Sequence, residues 1–424
     1  MQLKNIVFAF AIAGLASAAN NSTLTTATPT AKSGCSFSSF TATASGDLQS
    51  VAACETAIGD VTVFGTQFGT VELTGVKEFY GNLSILNATQ ASTINAPTLQ
   101  LVSGSLEINS NTILSHLNLA QLTTVGTFKL NALPALEETG LTAGITSAEE
   151  IIISDTGLSK LTGIEVFKLK VFSVNNNRDI DAINSGLQEV TDNIDISYNA
   201  DKVDVTLDKL TSANDIILQS INSFHAPNLT STNGSIAFSS SSIETIDLAN
   251  LEKIGSSLTI YKNEDLEEID FPKLTSIGGA LQISDNGNLK SLDGFPELTT
   301  VGGTVNINGS FDNGTFDSLT RVAGGFILKV EGDGDLSCSA FNKLNSNGDI
   351  KGDKFQCEDK VATSSSSSKK PNSSSDSADS DSTESGSSTS SSSSSPKSNT
   401  GASQNVGKLV SFVAAFAVVG FTLI

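Results

Sequence analysis

The stretch LTSIGGALQISDNGNLKSLDGFPE, residues 274–297, decides the fold of this chain. Its apolar spacing fits neither one amphipathic helix nor one alternating strand. The next 24 residues repeat the spacing with Leu298, Val301, Val305 and Ile307. The stretch therefore predicts one coil of a solenoid. Its apolar positions are Leu274, Ile277, Leu281, Ile283, Leu289, Leu292 and Phe295.

The same register extends over most of the chain. The coil starts span 243 residues in eleven steps, so the mean step is about 22 residues, the period of leucine-rich repeats. This predicts a mainly β protein, a single right-handed β-solenoid over residues 76–335 with one short parallel strand per coil. A degenerate coil is expected before it, at Ala57, Val61 and Val63. The starts are Val76, Leu99, Leu122, Ile145, Val166, Leu187, Leu210, Leu229, Leu251, Leu274, Leu298 and Leu319.

Two details of the repeat predict local geometry. Gly278 and Gly279, repeated as Gly302 and Gly303, indicate a bend where a side chain would obstruct the neighbouring coil. Four coils are one residue shorter before their strand, which predicts irregular packing in the middle of the solenoid. These are the coils that start at Leu122, Ile145, Val166 and Leu210.

A polar residue also keeps the register. Asn recurs three positions after the second apolar residue of the strand, where it can cap backbone groups at the turn and bond to the Asn of the next coil. We interpret it as a structural ladder rather than a ligand site, because it recurs along the solenoid instead of clustering. The ladder residues are Asn111, Asn177, Asn199, Asn263 and Asn286.

The four cysteines bracket the repeats. Cys35 and Cys54 precede the first coils, and Cys338 and Cys357 follow the last, each pair being nineteen positions apart. A solenoid must close its end coils against water, so each pair is predicted to form a disulfide in a small cap. The caps are expected within residues 19–75 and 336–362. Neither pair has the short spacing that zinc prefers.

The N-terminus predicts secretion. Residues 1–18 combine Lys4, an apolar run and the small-residue motif Ala16-Ser17-Ala18, as in a cleaved signal peptide. Secretion makes Asn-x-Ser/Thr sequons candidates for N-glycosylation. The sequons are Asn20, Asn21, Asn82, Asn87, Asn228, Asn233, Asn308, Asn313 and Asn372.

The C-terminal part predicts a stalk and a lipid anchor. In residues 363–400, 25 of 38 residues are Ser or Thr, which is typical of a disordered and often O-glycosylated stalk. Small residues, a polar spacer and a terminal apolar run then form a glycosylphosphatidylinositol (GPI) attachment signal. We place the attachment at Asn399, with Gly401 as the alternative, and residues 401–424 as the removed propeptide.

Composition weighs against several classes of function. The net charge of −21 would repel phosphate backbones, so nucleic-acid binding is set aside. The chain has no Trp platform for sugars, and His116 and His225 lie about five coils apart. Four acid pairs could supply glycosidase chemistry, but such pairs are expected among 45 acids. We predict no catalytic, cofactor or metal site. The pairs are Asp179 with Asp181, Asp192 with Asp195, Glu149 with Glu150, and Glu267 with Glu268.

This ordered combination resembles a known family. A signal peptide, Cys-bounded repeats such as LTSIGGALQI and LTTVGGTVNI, a Ser-rich stalk and an anchor signal resemble the fungal GPI-anchored cell-wall organisation proteins. Their repeat region is similar to the receptor L domains of insulin- and EGF-receptor ectodomains. The resemblance implies a mannosylated protein at the outer face of the plasma membrane and in the wall, with transfer to β-1,6-glucan and a role in wall integrity.

Three functions remain distinct at this level. The first is a non-enzymatic, glycosylated wall scaffold. The second is a ligand-binding or adhesion module, which a face of the solenoid free of sequons would favour. The third is a carbohydrate-active β-helix enzyme, which carboxylates 5 to 10 Å apart in a groove would favour.

Overall fold

The computed structural model describes residues 28–359, which belong to one unit, Met1–Lys370; the other unit, Pro371–Ile424, lies outside the described residues. The expected signal peptide, stalk and anchor signal, with Asn20, Asn21, Asn372, Asn399 and Gly401, also lie outside them. Within residues 28–359, no helix combines the length and apolar character needed to cross a membrane.

Two short helices flank a long series of strands. The first half contains β1 (Ser36–Ala44), α1 (Ser45–Ala52), β2 (Thr56–Gln67), β3 (Thr70–Glu72), β4 (Glu78–Tyr80), β5 (Leu83–Leu86), β6 (Thr93–Asn95), β7 (Leu101–Asn109), β8 (His116–Asn118), β9 (Thr124–Leu133), β10 (Ser147–Thr156), β11 (Lys168–Asn175), β12 (Ala182–Asn184), β13 (Glu189–Ser197), β14 (Asp204–Thr206) and β15 (Ser212–Gln219). The second half contains β16 (Ser223–His225), β17 (Ser231–Thr232), β18 (Ile236–Ser239), β19 (Thr245–Asp247), β20 (Lys253–Ile254), β21 (Leu258–Tyr261), β22 (Glu268–Asp270), β23 (Ser276–Ile277), β24 (Leu281–Ser284), β25 (Thr300–Val301), β26 (Val305–Gly309), β27 (Arg321–Val322), β28 (Phe326–Val330), α2 (Ser339–Ser346) and β29 (Phe355–Glu358).

The strands form a parallel β-solenoid, as the repeat predicts. Twenty-one of the described strands make one main sheet, and its neighbours pair in parallel from β1 to β29. A second face carries three small parallel sheets, β3-β6-β8, β12-β14-β16 and β19-β22. In the defining stretch, Leu281 and Ile283 of β24 pair with Val305 and Ile307 of β26. All seven apolar positions predicted there are fully buried between the faces.

The shorter coils are also confirmed. In coils of full length, the extra residue either splits the main-sheet strand, as between β23 and β24, or bulges it, as in β7 and β13. In the four shorter coils the strand runs uninterrupted as β9, β10, β11 and β15. The strand register shifts by one residue where a shorter coil pairs with a full-length one. An example is the pairing of β11 with β13, which shifts between Leu169 and Val171 of β11.

The glycine pairs stand where neighbouring backbones touch. A Cβ on Gly278 would lie 2.0 Å from the carbonyl oxygen of Gly255, and one on Gly302 would lie 2.1 Å from that of Gly278. No rotation of a side chain can relieve a contact with a backbone atom. The bend therefore requires glycine because the coils approach too closely for any other residue.

Most coils turn their corner through one residue in the left-handed region. Examples are Ser110, Tyr198, Lys262 and Asp285, with φ between 52° and 58°. The next residue is the ladder position. Its side chain reaches back to the preceding coil, as when Oδ1 of Asn111 accepts the backbone N–H of Ala88 at 2.6 Å. The ladder thus satisfies backbone groups that the turn leaves without partners.

The ladder is longer than the five asparagines. Asn199 and Asn286 each bond to the Asn of the preceding coil, and their own Nδ2 atoms donate to backbone carbonyls. Ser241 occupies the same position, where its Oγ accepts the backbone N–H of Ile221 at 3.2 Å. Thr156 continues it too, since its Oγ1 donates to Oδ1 of Asn177 at 2.6 Å. A short hydroxyl therefore substitutes for the amide in two coils.

Disulfide-bonded caps close both ends. Cys35 and Cys54 join the residue before β1 to the segment after α1, with a Cα–Cα distance of 5.6 Å. Cys338 and Cys357 join the start of α2 to β29, with a Cα–Cα distance of 5.8 Å. On α2, Phe341 is fully buried, with its ring 5.5 Å from that of Phe326 in the last full coil. Each cap thus places a helix near an end of the core.

Candidate functional site

The sequons in the described residues divide the solenoid into segments. Asn82 and Asn87 lie in the early coils, whereas Asn228, Asn233, Asn308 and Asn313 lie in the later ones. Residues 88–227 contain none. All six are exposed except Asn308, which is half-buried in β26. The middle coils therefore form the longest part of the described solenoid without an N-glycosylation site, and residues 234–307 form a shorter one.

Two sequons lie where the main-sheet strand is split. Asn82 separates β4 from β5, and Asn233 separates β17 from β18. The side chain of Asn82 is already engaged: Nδ2 donates to Oδ1 of Asp60 at 2.9 Å, and Oδ1 accepts the backbone N–H of Ser105 at 2.8 Å. One amide hydrogen of Asn82 can still be replaced by a sugar without breaking these bonds.

Between the sequons, the outward side chains of four strands form a regular grid, which we call the central lattice. Parallel register aligns twelve positions in three rows across β10, β11, β13 and β15. Adjacent strands lie about 4.8 Å apart, so neighbours within a row are in contact range. The rows are Glu150, Val171, Asn193 and Asp215; Ile152, Ser173, Asp195 and Ile217; and Ser154, Asn175, Ser197 and Gln219.

The third row satisfies most of its own hydrogen bonds. Ser154 Oγ donates to Oδ1 of Asn175 at 2.6 Å, and Asn175 Nδ2 donates to Oγ of Ser173 at 2.9 Å. Gln219 Nε2 donates to the hydroxyl oxygen of Tyr198 at 2.6 Å. This row is therefore a rigid polar border of the lattice.

The other two rows mix carboxylates with aliphatic side chains. Asp195 lies half-buried between Ser173 and Ile217, and it accepts a hydrogen bond from Ser197 Oγ at 2.8 Å. Burial raises the pKa of its carboxyl, and the Ser197 hydroxyl offsets this only in part. Within residues 28–359, no basic side chain forms an ion pair with Asp195. The central carboxylate of the lattice is thus desolvated without a countercharge.

The other two lattice carboxylates are held by the protein. Oδ1 of Asp215 accepts the backbone N–H of Ser235 at 2.6 Å, and Glu150 Oε2 accepts a hydrogen bond from Thr127 Oγ1 at 3.2 Å. Asn193 occupies the same row as Asp215, but its buried Oδ1 has no partner. The coil after Asn193 is a shorter one, so it lacks the extra residue whose N–H would have been accepted there.

Lysines occur only beside the lattice on these four strands. Lys170 lies 2.5 Å from Glu149, and Lys168 lies 2.8 Å from Glu189. In each of the two predicted acid pairs in this region, the two carboxylates therefore have different surroundings. Glu149 pairs with Lys170, whereas Glu150 accepts a hydrogen bond from Thr127. Asp192 is exposed, whereas Asp195 is half-buried. Neither pair forms a matched acid and base in a groove.

The remaining predicted acids and histidines do not converge with the lattice. Asp179 and Asp181 are exposed in a turn, and Glu267 and Glu268 are exposed at the start of β22. His225 lies on the second face, with Nε2 3.6 Å from Oδ1 of Asp208.

His116 lines a cleft on the second face. The small sheet β3-β6-β8 ends at β8, where the segment before β10 leaves a cleft of about 610 Å³. His116 Nδ1 lies 2.9 Å from Ser115 Oγ, so the ring is held by its neighbour in sequence. The amide of Asn118 donates to Oδ1 of Asn95 at 2.9 Å on the floor. Other lining residues are Thr93, Leu117, Ala135, Glu137 and Glu138.

Comparison with known proteins decides the family. The chain is 38% identical to the cell-surface GPI-anchored protein ECM33 of Candida albicans over 78% of its length and 81% of that relative. It is 36% identical to the cell wall mannoprotein PST1 of Saccharomyces cerevisiae over 76% of its length and 72% of that relative. The chain belongs to the family of fungal GPI-anchored cell-wall proteins.

Other comparisons extend this result. Within the family of fungal GPI-anchored cell-wall proteins, the chain is also 30% identical to the cell wall protein ecm33 of Schizosaccharomyces pombe, over 54% of its length and 55% of that relative. The chain matches no protein-family model, and no solved structure matches it. Like its family, the protein is located at the outer face of the plasma membrane and in the cell wall.

Sequence reasoning missed the central lattice. Its residues are ordinary Ser, Asn, Asp and Ile at outward strand positions, and only the aligned register brings them together. One signal was available. Once the coils are aligned by their inward apolar residues, the positions between those residues, such as Ile152, Asp195 and Ile217, can be assigned to the outward face.

Proposed function

We propose that this wall protein is a non-enzymatic, glycosylated scaffold that organises the cell wall and supports its integrity. The observation that carries the proposal is the main sheet, in which each coil pairs with the next from β1 to β29 over one buried core. A disulfide closes each end. Such a solenoid resists bending because each coil is hydrogen-bonded to the next along its length. A rigid element of this kind suits a load-bearing spacer.

The expected terminal segments would position this scaffold. A Ser-rich stalk over 363–400 and a GPI attachment at Asn399 or Gly401 would hold the solenoid outside the membrane, and transfer of the GPI remnant to β-1,6-glucan would fix it in the wall. Glycans at Asn82, Asn87, Asn228, Asn233, Asn308 and Asn313 would hydrate the early and late coils. The names of the relatives, a GPI-anchored surface protein and a wall mannoprotein, support this arrangement.

An enzyme acting on wall polysaccharide is less well supported. A glycosidase uses two carboxyl groups facing a groove that holds the sugar chain. Asp195, whose pKa is raised by burial, lies on the outward face of the main sheet and does not line the cleft beside His116. The cleft beside His116 carries Glu137 and Glu138, but both are exposed on one segment.

Removal of the anchor signal tests the scaffold. A strain that produces the chain without residues 409–424 should release the protein into the medium and should be as sensitive to wall-binding dyes as a full deletion strain. The full-length chain at the same expression level is the control. Normal dye resistance in the truncated strain would contradict an anchored scaffold.

A complementation arm separates scaffold from enzyme. Purified truncated protein added to the deletion strain should leave the wall defect unchanged, because a scaffold must be attached where it acts. Recovery of dye resistance from catalytic amounts of soluble protein would favour the enzyme instead.

A further inference from the structure

The central lattice combines aliphatic and acidic side chains, and none of its twelve positions lies in a sequon. We propose that it is a docking surface for a cationic polypeptide segment, with the central row of Ile152, Ser173, Asp195 and Ile217 as its contact line. This binding role is separate from the scaffold role, because the lattice uses outward side chains whereas the scaffold depends on the core.

The charge of the lattice selects the partner. Its twelve positions hold three carboxylates, Glu150, Asp195 and Asp215, and no basic side chain. The four strands together carry seven acids against two lysines, and both lysines are occupied by Glu149 and Glu189. A cationic segment would supply the countercharge that Asp195 lacks, through charge-assisted hydrogen bonds.

The aliphatic positions match the rest of such a segment. Ile152 and Ile217 flank the Ser173 and Asp195 positions in one row, and Val171 lies in the row beside them. Lys and Arg carry long apolar stems below their charged heads, so they can cover aliphatic side chains while the head reaches a carboxylate. The alternation of apolar and acidic positions therefore fits a polypeptide better than it fits a free metal ion.

The architecture argues against other macromolecules. None of the twelve positions carries an aromatic ring on which a sugar could stack. A phosphate backbone would be repelled by the three carboxylates. Strand addition is closed as well, because β10 pairs with β9 and β15 pairs with β17 and β18. The partner must bind through side chains on the face of the sheet.

The distribution of sequons gives a second, independent argument. Residues 88–227 form the longest run of the described chain without a sequon, but Asn233 lies in the coil next to β15, where Asp215 accepts the backbone N–H of Ser235. An N-glycan is bulky enough to exclude a protein partner from the surface around it. A glycan at Asn233 would border β15, so β10, β11 and β13, which lie within residues 88–227, are the strands of the lattice that stand clear of sequons.

The test uses the full-length protein, purified in detergent from a fungal host. The probe is a fluorescein-labelled peptide of alternating Arg and Leu, about eight residues long, which at roughly 3.3 Å per residue crosses the four coils. Fluorescence anisotropy should show saturable binding at about one peptide per chain, weaker at about 300 mM salt than at about 50 mM. The same peptide with Glu for Arg should not bind.

Three variants locate the site. Asp195→Gln should weaken binding by about tenfold, since it removes one charge-assisted contact and, unlike Asn before Ile196 and Ser197, creates no sequon. Ile217→Asn combined with Gln219→Thr creates a sequon in the lattice, and its glycan should abolish binding. Asp270→Gln is the matched control: burial also raises the pKa of that carboxyl, but it lies in β22 on the second face, and binding should be unchanged.

The proposal is overturned by any of four results. These are no binding at low salt, equal losses for Asp195→Gln and Asp270→Gln, undiminished binding with an occupied new sequon, and displacement of the peptide by a neutral glucan oligosaccharide. Secretion level and thermal midpoint of each variant show that it is folded, so a loss of binding reports on the surface.

Discussion

Asn263 and Asn286 lie at equivalent corners of neighbouring coils, and Oδ1 of Asn286 accepts both the backbone N–H and the Nδ2 of Asn263, at 3.0 and 3.1 Å. Nδ2 of Asn286 donates in turn to the carbonyl of Ile260 at 3.0 Å. One buried side chain thus satisfies three groups of the preceding coil. The ladder therefore connects neighbouring coils at their turns, where the strands of the main sheet do not pair.

Replacing that side chain should destabilise the fold. Asn286→Ala leaves the buried backbone N–H of Asn263 without an acceptor, and the expected loss in the free energy of unfolding is about 3 kcal/mol. Urea titration followed by circular dichroism measures it. Asn288→Ala, an exposed residue of the same turn, should change stability by less than about 0.5 kcal/mol. Equal effects of the two substitutions would show that the ladder contributes nothing.

Coil spacing should not tolerate a methyl group at the bend. In Gly302→Ala the new Cβ would lie 2.1 Å from the carbonyl oxygen of Gly278, so both coils must shift, and we expect a loss of about 3 kcal/mol and reduced secretion. Gly287→Ala is the control, since the nearest heavy atom to its Cβ is the carbonyl oxygen of Glu264 at 4.0 Å. Thermal unfolding of the two proteins compares them. Similar midpoints would refute the close approach of the coils.

Each disulfide should protect its own end of the solenoid. Replacing both Cys338 and Cys357 with Ser removes a cross-link that contributes about 3 kcal/mol to the free energy of unfolding. Hydrogen exchange in β28 and β29 should become faster. Exchange in β1 and β2 should stay slow, because each coil contacts only its neighbours. Ser at Cys35 and Cys54 should give the reverse pattern. Uniform loss of protection in either variant would contradict this local effect.

Two aspartates should affect stability with opposite signs as pH changes. Burial raises the folded-state pKa of Asp195, so the folded protein binds that proton more tightly than the unfolded chain does, and stability falls as pH rises through this range. Asp195→Gln, which creates no sequon, should therefore be more stable than the wild type at neutral pH. The difference should vanish below the ordinary value of 3.8, where both states are protonated.

Asp47 provides the opposite case. The backbone N–H groups of Thr43 and Ala44 hold the pKa of its carboxyl below the ordinary value at the start of α1. Its stabilisation is present above pH 3.8 and is lost as pH falls through the folded-state pKa, so Asp47→Asn should be less stable at neutral pH only. Urea titrations at neutral and acidic pH test both variants. The same sign for both would contradict the assigned causes.

The sequence by itself determined the repeat, the parallel coils, the placement of both disulfides and most of the Asn ladder. These features depend on residue type at a fixed spacing: apolar side chains at inward positions such as Leu281 and Ile283, glycine at the bend, and Cys outside the repeats. The shorter coils could be recognised as well, since one missing residue before Phe128 or Phe172 shifts the whole pattern.

Only the tertiary structure decided the corners and the central lattice. The left-handed corner residues are Ser110, Tyr198, Lys262 and others with no shared side chain, because the closing of the coil, rather than the residue, imposes that backbone. Asp195 resembles any surface acid in the sequence. Its desolvation comes from Ser173 and Ile217, which are 22 residues away on either side and become its neighbours only when the coils stack in register.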